Sequence, residues 1–251
     1  MLELQNVTAG YKEMIVLNRI SIKAEQGSIT TILGENGSGK STLLKTAMGL
    51  LPVTEGEVYV QGMPLSEMTR QQSAKLMAYL PQSKNTPDIT AGRFVLHGRF
   101  PYLTYPRKYS LRDHEIAMTA MEQMGVGSLA DVPLAELSGG MRQKVYIAMA
   151  LAKQAPVILM DEPTTYLDIG QQKRFSEMVR ELAHRGKTVV LVLHDIFLAL
   201  KLSNQIYVLK NGKVKCSGTP EEALKSGVFS ELYGVEIGTM QTPSGLQYYY
   251  K

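Results

Sequence analysis

At 251 residues, 44% apolar and 20% charged, the chain can bury a full core, either as one domain or as a domain with a substantial insertion, and its composition is that of a globular protein rather than a disordered one. Its net charge is +4 with scattered basic residues, Arg107-Lys108 being the densest group, so no stripe for nucleic acid is present. The single cysteine, Cys216, excludes an internal disulfide. No signal peptide is expected from the opening MLELQNVTAGY, and the longest apolar runs are strand-sized, far short of the roughly 20 residues of a membrane span. If the protein works at a membrane, a partner is expected to supply the membrane part.

In chain order, Leu2 and Leu4 and then residues 16–24 alternate as strands do, and residues 28–33 read as a buried strand after Gly27. A glycine-rich loop follows, then a helix expected over 40–50 and stopped by Pro52. A strand over 57–60, a short helix over 69–75 and an apolar run over 76–80 ending at Pro81-Gln82 come next. Residues 85–153 are mostly helical, with candidates at 94–98, 110–124 and 139–152. Alternation of strand and helix then resumes: strand 157–160, helix 169–184, strand 188–193, helix 196–202 and strand 205–209. Asp168 with Gln171 makes a capping box for the long helix, and Gly186 its stop. Asn211-Gly212 is a hairpin turn into residues 214–217. The tail, with Tyr248 to Tyr250, reads equally as a final strand or a frayed end. Strands followed by helices at both ends imply an α/β core with a mostly parallel sheet, into which the helical middle is inserted.

The glycine-rich loop, Gly34-Glu35-Asn36-Gly37-Ser38-Gly39-Lys40-Ser41-Thr42, fits the P-loop pattern and stands between a strand and a helix, as phosphate binding requires. Glycines let successive N–H groups converge on phosphates, and the helix N-terminus adds partial positive charge. Lys40 would reach the β- and γ-phosphates of ATP, Ser41 would ligate Mg²⁺, and Thr42 would hold the α-phosphate. The strand over 157–160 ends in Asp161-Glu162. An Asp there contacts Mg²⁺ in P-loop enzymes, and the next carboxylate, Glu162, would polarise the attacking water. His194 ends another strand and becomes a candidate γ-phosphate contact, because parallel sheets hold ligands at their carboxyl ends. Gln82 ends a third run and could reach Mg²⁺ or the attacking water. His97, His114 and His184 read as structural or solvated.

Leu137-Ser138-Gly139-Gly140-Met141-Arg142-Gln143 opens a helix with Ser138 as N-cap, and its N–H groups and hydroxyl suit an anion. With ATP already claimed by the P-loop, this second cluster lacks a ligand in its own chain. A dimer resolves that, each chain's cluster capping the other's ATP.

The order GENGSGKST, Gln82, LSGGMRQ, VILMDEP, Asp168, His194 resembles the ATP-binding cassette (ABC) family over essentially the whole chain. The resemblance implies a P-loop core with an N-terminal antiparallel β subdomain and an inserted helical subdomain carrying the signature. On this basis residues 1–84 and 155–237 form the core, 85–154 the insertion and 238–251 a tail. It also implies a head-to-tail homodimer with two ATP molecules at its interface. Tyr11 matches the position of the aromatic residue that stacks on adenine, and Asp168 the loop that communicates between sites. Met141 departs from the family's more frequent Gln. Residues 94–101, 110–113 and 161–169 are similar to the ATPases of bacterial importers of iron–siderophore, haem or cobalamin, and no further C-terminal domain is expected after the core. The implied partners are a multi-span permease gripping residues 82–105 and, indirectly, a substrate-binding protein, with the chain at the cytoplasmic face of the membrane. The rival is a soluble ABC ATPase of translation, iron–sulfur assembly or DNA maintenance, against which stand the single cassette, the absence of heptads and the absence of a basic stripe.

Overall fold

A computed structural model describes residues 1–12, 14–82, 86–242 and 245–251. The N-terminal strands β1 (Leu2–Tyr11) and β2 (Met14–Ala24) pair antiparallel, and β1 also pairs with β4 (Val53–Val60), which carries the short β5 (Met63–Pro64), giving the order β2-β1-β4-β5. The second sheet has the order β10-β9-β3-β8-β7-β6, from β3 (Ile29–Gly34), β6 (Met77–Leu80), β7 (Val157–Asp161), β8 (Thr188–Val192), β9 (Gln205–Lys210) and β10 (Lys213–Gly218). All its pairs are parallel except the β9–β10 hairpin.

Every residue of β3, β7 and β8 is buried, which requires cover on both faces. The twofold alternation of side chains distributes that cover. Ile29, Leu33, Ile158, Met160, Val189 and Leu191 join a cluster with the helices on one side. Ile32, Val157, Leu159, Val190 and Val192 join the antiparallel sheet and α1 (Lys40–Ala47) on the other. The helical side holds α3 (Ala91–Leu96), α4 (Leu111–Gln123), α5 (Gly139–Ala152), α6 (Ile169–His184), α7 (Ile196–Leu202), α8 (Pro220–Lys225) and α9 (Val228–Tyr233), while α2 (Arg70–Leu76) leads into β6. The inserted helices therefore share one buried cluster with the sheet. The expected boundary at residues 84/85 lies outside the described residues.

Several expectations are corrected. Helix α1 stops at Ala47, not Leu50, because Gly49 takes φ +68° and closes the helix with Gly49 N–H donating to Thr46 O and Leu50 N–H to Lys45 O, each at 2.9 Å. Pro52 is not the stop, and the strand expected from residue 57 begins at Val53. The helix expected over 94–98 starts at Ala91 and continues as a 3₁₀ segment, His97–Tyr102. At α6 only half of the expected capping box forms: the Asp168 carboxylate accepts from Gln171 N–H at 2.8 Å, while Gln171 Oε1 turns inward, buried and unpaired. In the tail, where the sequence leaves strand and frayed end both open, β11 (Ile237–Thr242) and β12 (Gly245–Tyr250) pair antiparallel and are held on α7 by Tyr250 against Phe197, centroids 4.4 Å apart, and by Lys201 Nζ donating to Gln247 Oε1 at 2.7 Å.

Candidate active site

The parallel order sets the carboxyl ends of β3, β8, β7 and β6 side by side, so the P-loop, His194, Asp161-Glu162 and Gln82 share one edge. A cleft of about 530 Å³ lies there, lined by Tyr11, Asn36, Gly37, Gly39, Lys40, Ser41, Thr42, Gln82 and Glu162, together with Met14 and Val16 of β2. The antiparallel sheet thus supplies one wall and the P-loop the floor.

The loop's shape depends on its glycines. A Cβ on Gly34 would lie 2.4 Å from Leu209 O, and Gly37 and Gly39 take φ +80° and +104°. Lys40, buried, donates through Nζ to Gly34 O at 2.8 Å and Glu35 O at 2.9 Å, curling onto its own loop. Burial pushes its amine below the ordinary lysine range, while Glu162 and Asp161 pull it back up. Those carbonyls are weak partners beside a polyphosphate, for which the ammonium is well placed. The hairpin turn at Asn211-Gly212 braces the loop: Gly212 N–H donates to Ser38 O at 3.1 Å, and Asn18 N–H of β2 donates to Gly212 O at 2.8 Å.

Asp161 ends β7 only 2% exposed. Burial raises its carboxyl, and a hydrogen bond with the Ser41 side chain and the charge of Lys40 counter that effect. Its Oδ1 is buried with no partner, as is Ser38 Oγ in the loop. A hard divalent cation takes oxygen donors, one or two carboxylates beside phosphates, and Ser41 and Gln82 in the cleft lining, with Asp161 hydrogen-bonded to Ser41, fit that donor set. Glu162 then leaves the strand with φ +49°, uncommon for a non-glycine residue, so the strand's alternation breaks and its carboxylate faces the cleft. His194 Nε2 lies 2.6 Å from Glu162 Oε1, and Thr165 Oγ1 lies 3.5 Å from Glu162 Oε2. The histidine expected near a γ-phosphate thus holds the carboxylate that would handle the water.

The signature lies apart. Ser138 caps α5 through Oγ, accepting from Met141 N–H at 3.3 Å, and both Ser138 and Gly139 are exposed. Gly139 shares a smaller recess with Gln82, Arg142 and Tyr166, while Ser138, Gly140 and Asp168 line neither that recess nor the P-loop cleft. Tyr11 stands at the cleft's rim with Lys45 Nζ 5.9 Å from its ring centroid. Sequence reasoning missed Gln143, whose buried side chain donates from Nε2 to Pro163 O at 2.6 Å, tying the signature helix to the residue after Glu162. A glutamine amid the apolar positions of α5 was the available signal. It also missed Thr165, whose hydroxyl donates to Glu162 O at 3.1 Å.

A family model described as ABC transporter matches residues 17–165. The chain is 34% identical to the iron(3+)-hydroxamate import ATP-binding protein of Bacillus subtilis over 96% of its own length and 91% of that protein's. It superposes with TM-score 0.84 and 25% identity on a structure described as an inward-facing metal-chelate type ABC transporter, covering 100% of this chain and 96% of that one. A dimeric bacterial ABC transporter cassette matches with TM-score 0.78 and 31% identity over 88% of this chain and 99% of that one. The P-loop cleft, the acidic strand end and the signature helix are therefore parts of one known architecture, and the chain belongs to the ABC transporter ATP-binding family.

Proposed function

We propose that the chain is the ATP-hydrolysing subunit of a membrane importer for a metal chelate of the iron–siderophore, haem or cobalamin type. The observation that carries this reading is the Glu162–His194 pair at the mouth of a cleft floored by Lys40, in a member of a family whose relatives include an iron(3+)-hydroxamate import subunit.

In this reading Gly34 and residues 36–42 cradle the phosphates, Lys40 exchanges its loop carbonyls for them, and Tyr11 stacks on the adenine. Ser41, Asp161 and Gln82 would hold Mg²⁺, which when bound neutralises charge on the phosphates. Glu162, oriented by His194, takes the proton of the attacking water. Positioning and electrostatics supply most of the rate in phosphoryl transfer, which suits a site built from held groups.

Ser138, Gly139 and Gly140 contact the nucleotide of a second copy, with Asp168 beside them, in a head-to-tail homodimer that closes on ATP. Domain closure then acts on a multi-span permease, with a substrate-binding protein delivering cargo and the chain on the cytoplasmic face. No helix among the described residues is long and apolar enough to cross a membrane, consistent with a peripheral subunit. A groove of about 820 Å³ lined by Arg70, Gln71, Phe100, Pro101, Tyr105 and Arg107 offers the permease a seat, its aromatic rings flanked by two cations. Residues 1–84 and 155–237 act as the core, 85–154 as the moving insertion and 238–251 as the tail.

The test is deletion of the gene followed by growth on single iron or cobalamin sources, with purification of the tagged chain from membranes. Loss of growth on one chelate and recovery of a multi-span protein are expected. Unimpaired growth on all of them, with the chain recovered in a stable ribosomal complex, would contradict import.

A further inference from the structure

The wall of that groove is tied to the helix that presents Ser138, and the tie is a buried ion pair. Arg99 is 7% exposed. Its Nε donates to Asp113 Oδ1 at 3.0 Å, and its Nη1 donates to Ala152 O at 3.1 Å and Gln154 Oε1 at 3.4 Å. The guanidinium lies 4.0 Å from the Tyr102 ring centroid, and the Tyr102 hydroxyl donates to Lys153 O at 2.8 Å. Gly98 lets the segment approach this closely, since a Cβ there would lie 2.5 Å from Met149 O. One 3₁₀ segment, His97–Tyr102, therefore occupies the carbonyls that the last turn of α5 leaves free, with a cation where the helix dipole is negative.

Asp113 has a second duty. Its Oδ2 accepts from Ser110 N–H at 2.9 Å and Ser110 Oγ at 2.7 Å, closing the first turn of α4. The ion pair thus joins the end of α5 to the start of α4 with the segment between them. On its outer side Gln71 of α2 donates to Pro101 O at 3.1 Å. From Phe100 onward the same stretch becomes the groove wall, through Pro101 to Arg107. A desolvated pair is a poor way to gain stability, and its best-attested use is to fix register between elements.

We propose that Arg99 and Tyr102 are positioning residues that carry movement of α5, set by nucleotide at its Ser138 end, to the groove wall at its other end. This rests on the reading of Ser138 to Gly140 as an ATP contact. A helix of 14 residues is about 21 Å long and moves as a rod. Only a firm hold at its far end passes that movement on.

Hydrogen exchange in the full-length Glu162→Gln protein, with and without ATP and Mg²⁺, tests this. ATP should slow exchange by about threefold or more at both residues 138–142 and residues 97–107. Two gentle variants then separate the ends. Tyr102→Phe removes only a hydroxyl, and Arg99→Lys keeps a cation beside Asp113 but cannot reach Ala152 and Gln154 together. With ATP-free exchange at the parental level, as an intact fold gives, each should keep the response at 138–142 and lose most of it at 97–107. A response at 97–107 that survives both variants, or that is missing from the parent while 138–142 responds, overturns the proposal. Absence of any response at 138–142 in the parent overturns the ATP contact on which it rests.

Discussion

Two lysines show how burial sets a cation's work. Lys40 sits within the P-loop on two of the loop's own carbonyls, with Asp161 and Glu162 close enough to favour its charge. In the proposed ATP-bound state a polyphosphate would replace those carbonyls at little reorganisation cost. Lys153, at the end of α5, has no such compensation, and burial alone pushes its amine down to about 8. At neutral pH the amine stays charged in the fold, at a desolvation cost that the unfolded chain does not carry. Lys153→Met should stabilise the protein by about 1–2 kcal/mol at pH 7, less than the full shift because the side chain keeps some solvent. The sign follows from proton uptake: below about pH 8 both folded and unfolded chains are protonated there and the fold carries the penalty. Between that value and the ordinary lysine value only the unfolded chain holds the proton, so the wild type gains stability and the variant's advantage shrinks. Thermal melts of both proteins across pH 7 to 10.5 measure it, and an advantage that grows with pH would contradict the cause.

At the scale of elements, short-range chemistry was legible and long-range closure was not. The turn at Asn211-Gly212, the N-caps at Ser138 and Asp168 and the stop at Gly186 are fixed by neighbours a few residues away, and they stand where the sequence puts them. The early end of α1 escaped because Pro52 is the louder signal, although Gly49 makes the turn. The Gln143–Pro163 and Arg99–Ala152 bonds link residues distant in sequence, so no local pattern announces them. The tail hairpin depends on contacts with α7 in the same way. Gly212 joins the two kinds of information. It takes φ +70°, a Cβ on it would lie 2.0 Å from Val16 O, and its N–H supports Ser38. Gly212→Ala should cost about 2–4 kcal/mol, read from the denaturant midpoint, and should weaken ATP binding by loosening the loop. A midpoint within error of the wild type would show that the turn does not brace the loop.

For the whole molecule, the motifs predicted which residues gather at one strand edge, because a parallel sheet leaves its carboxyl ends together. Ser138, Gly139 and Gly140, which the motifs leave without a ligand in their own chain, do not line the P-loop cleft. The site in one chain is thus half of the proposed working site, with the second half on a partner copy. The proposed closed dimer depends on ATP persisting, and the proposed role of Glu162 is to end that state. Light scattering of purified Glu162→Gln, with ATP and Mg²⁺ and then with ADP, measures this directly. A dimer of twice the 27.8 kDa chain mass in ATP, reverting to monomer in ADP, is predicted. A protein that binds ATP and stays monomeric, or that hydrolyses it as fast as the wild type, would contradict the account.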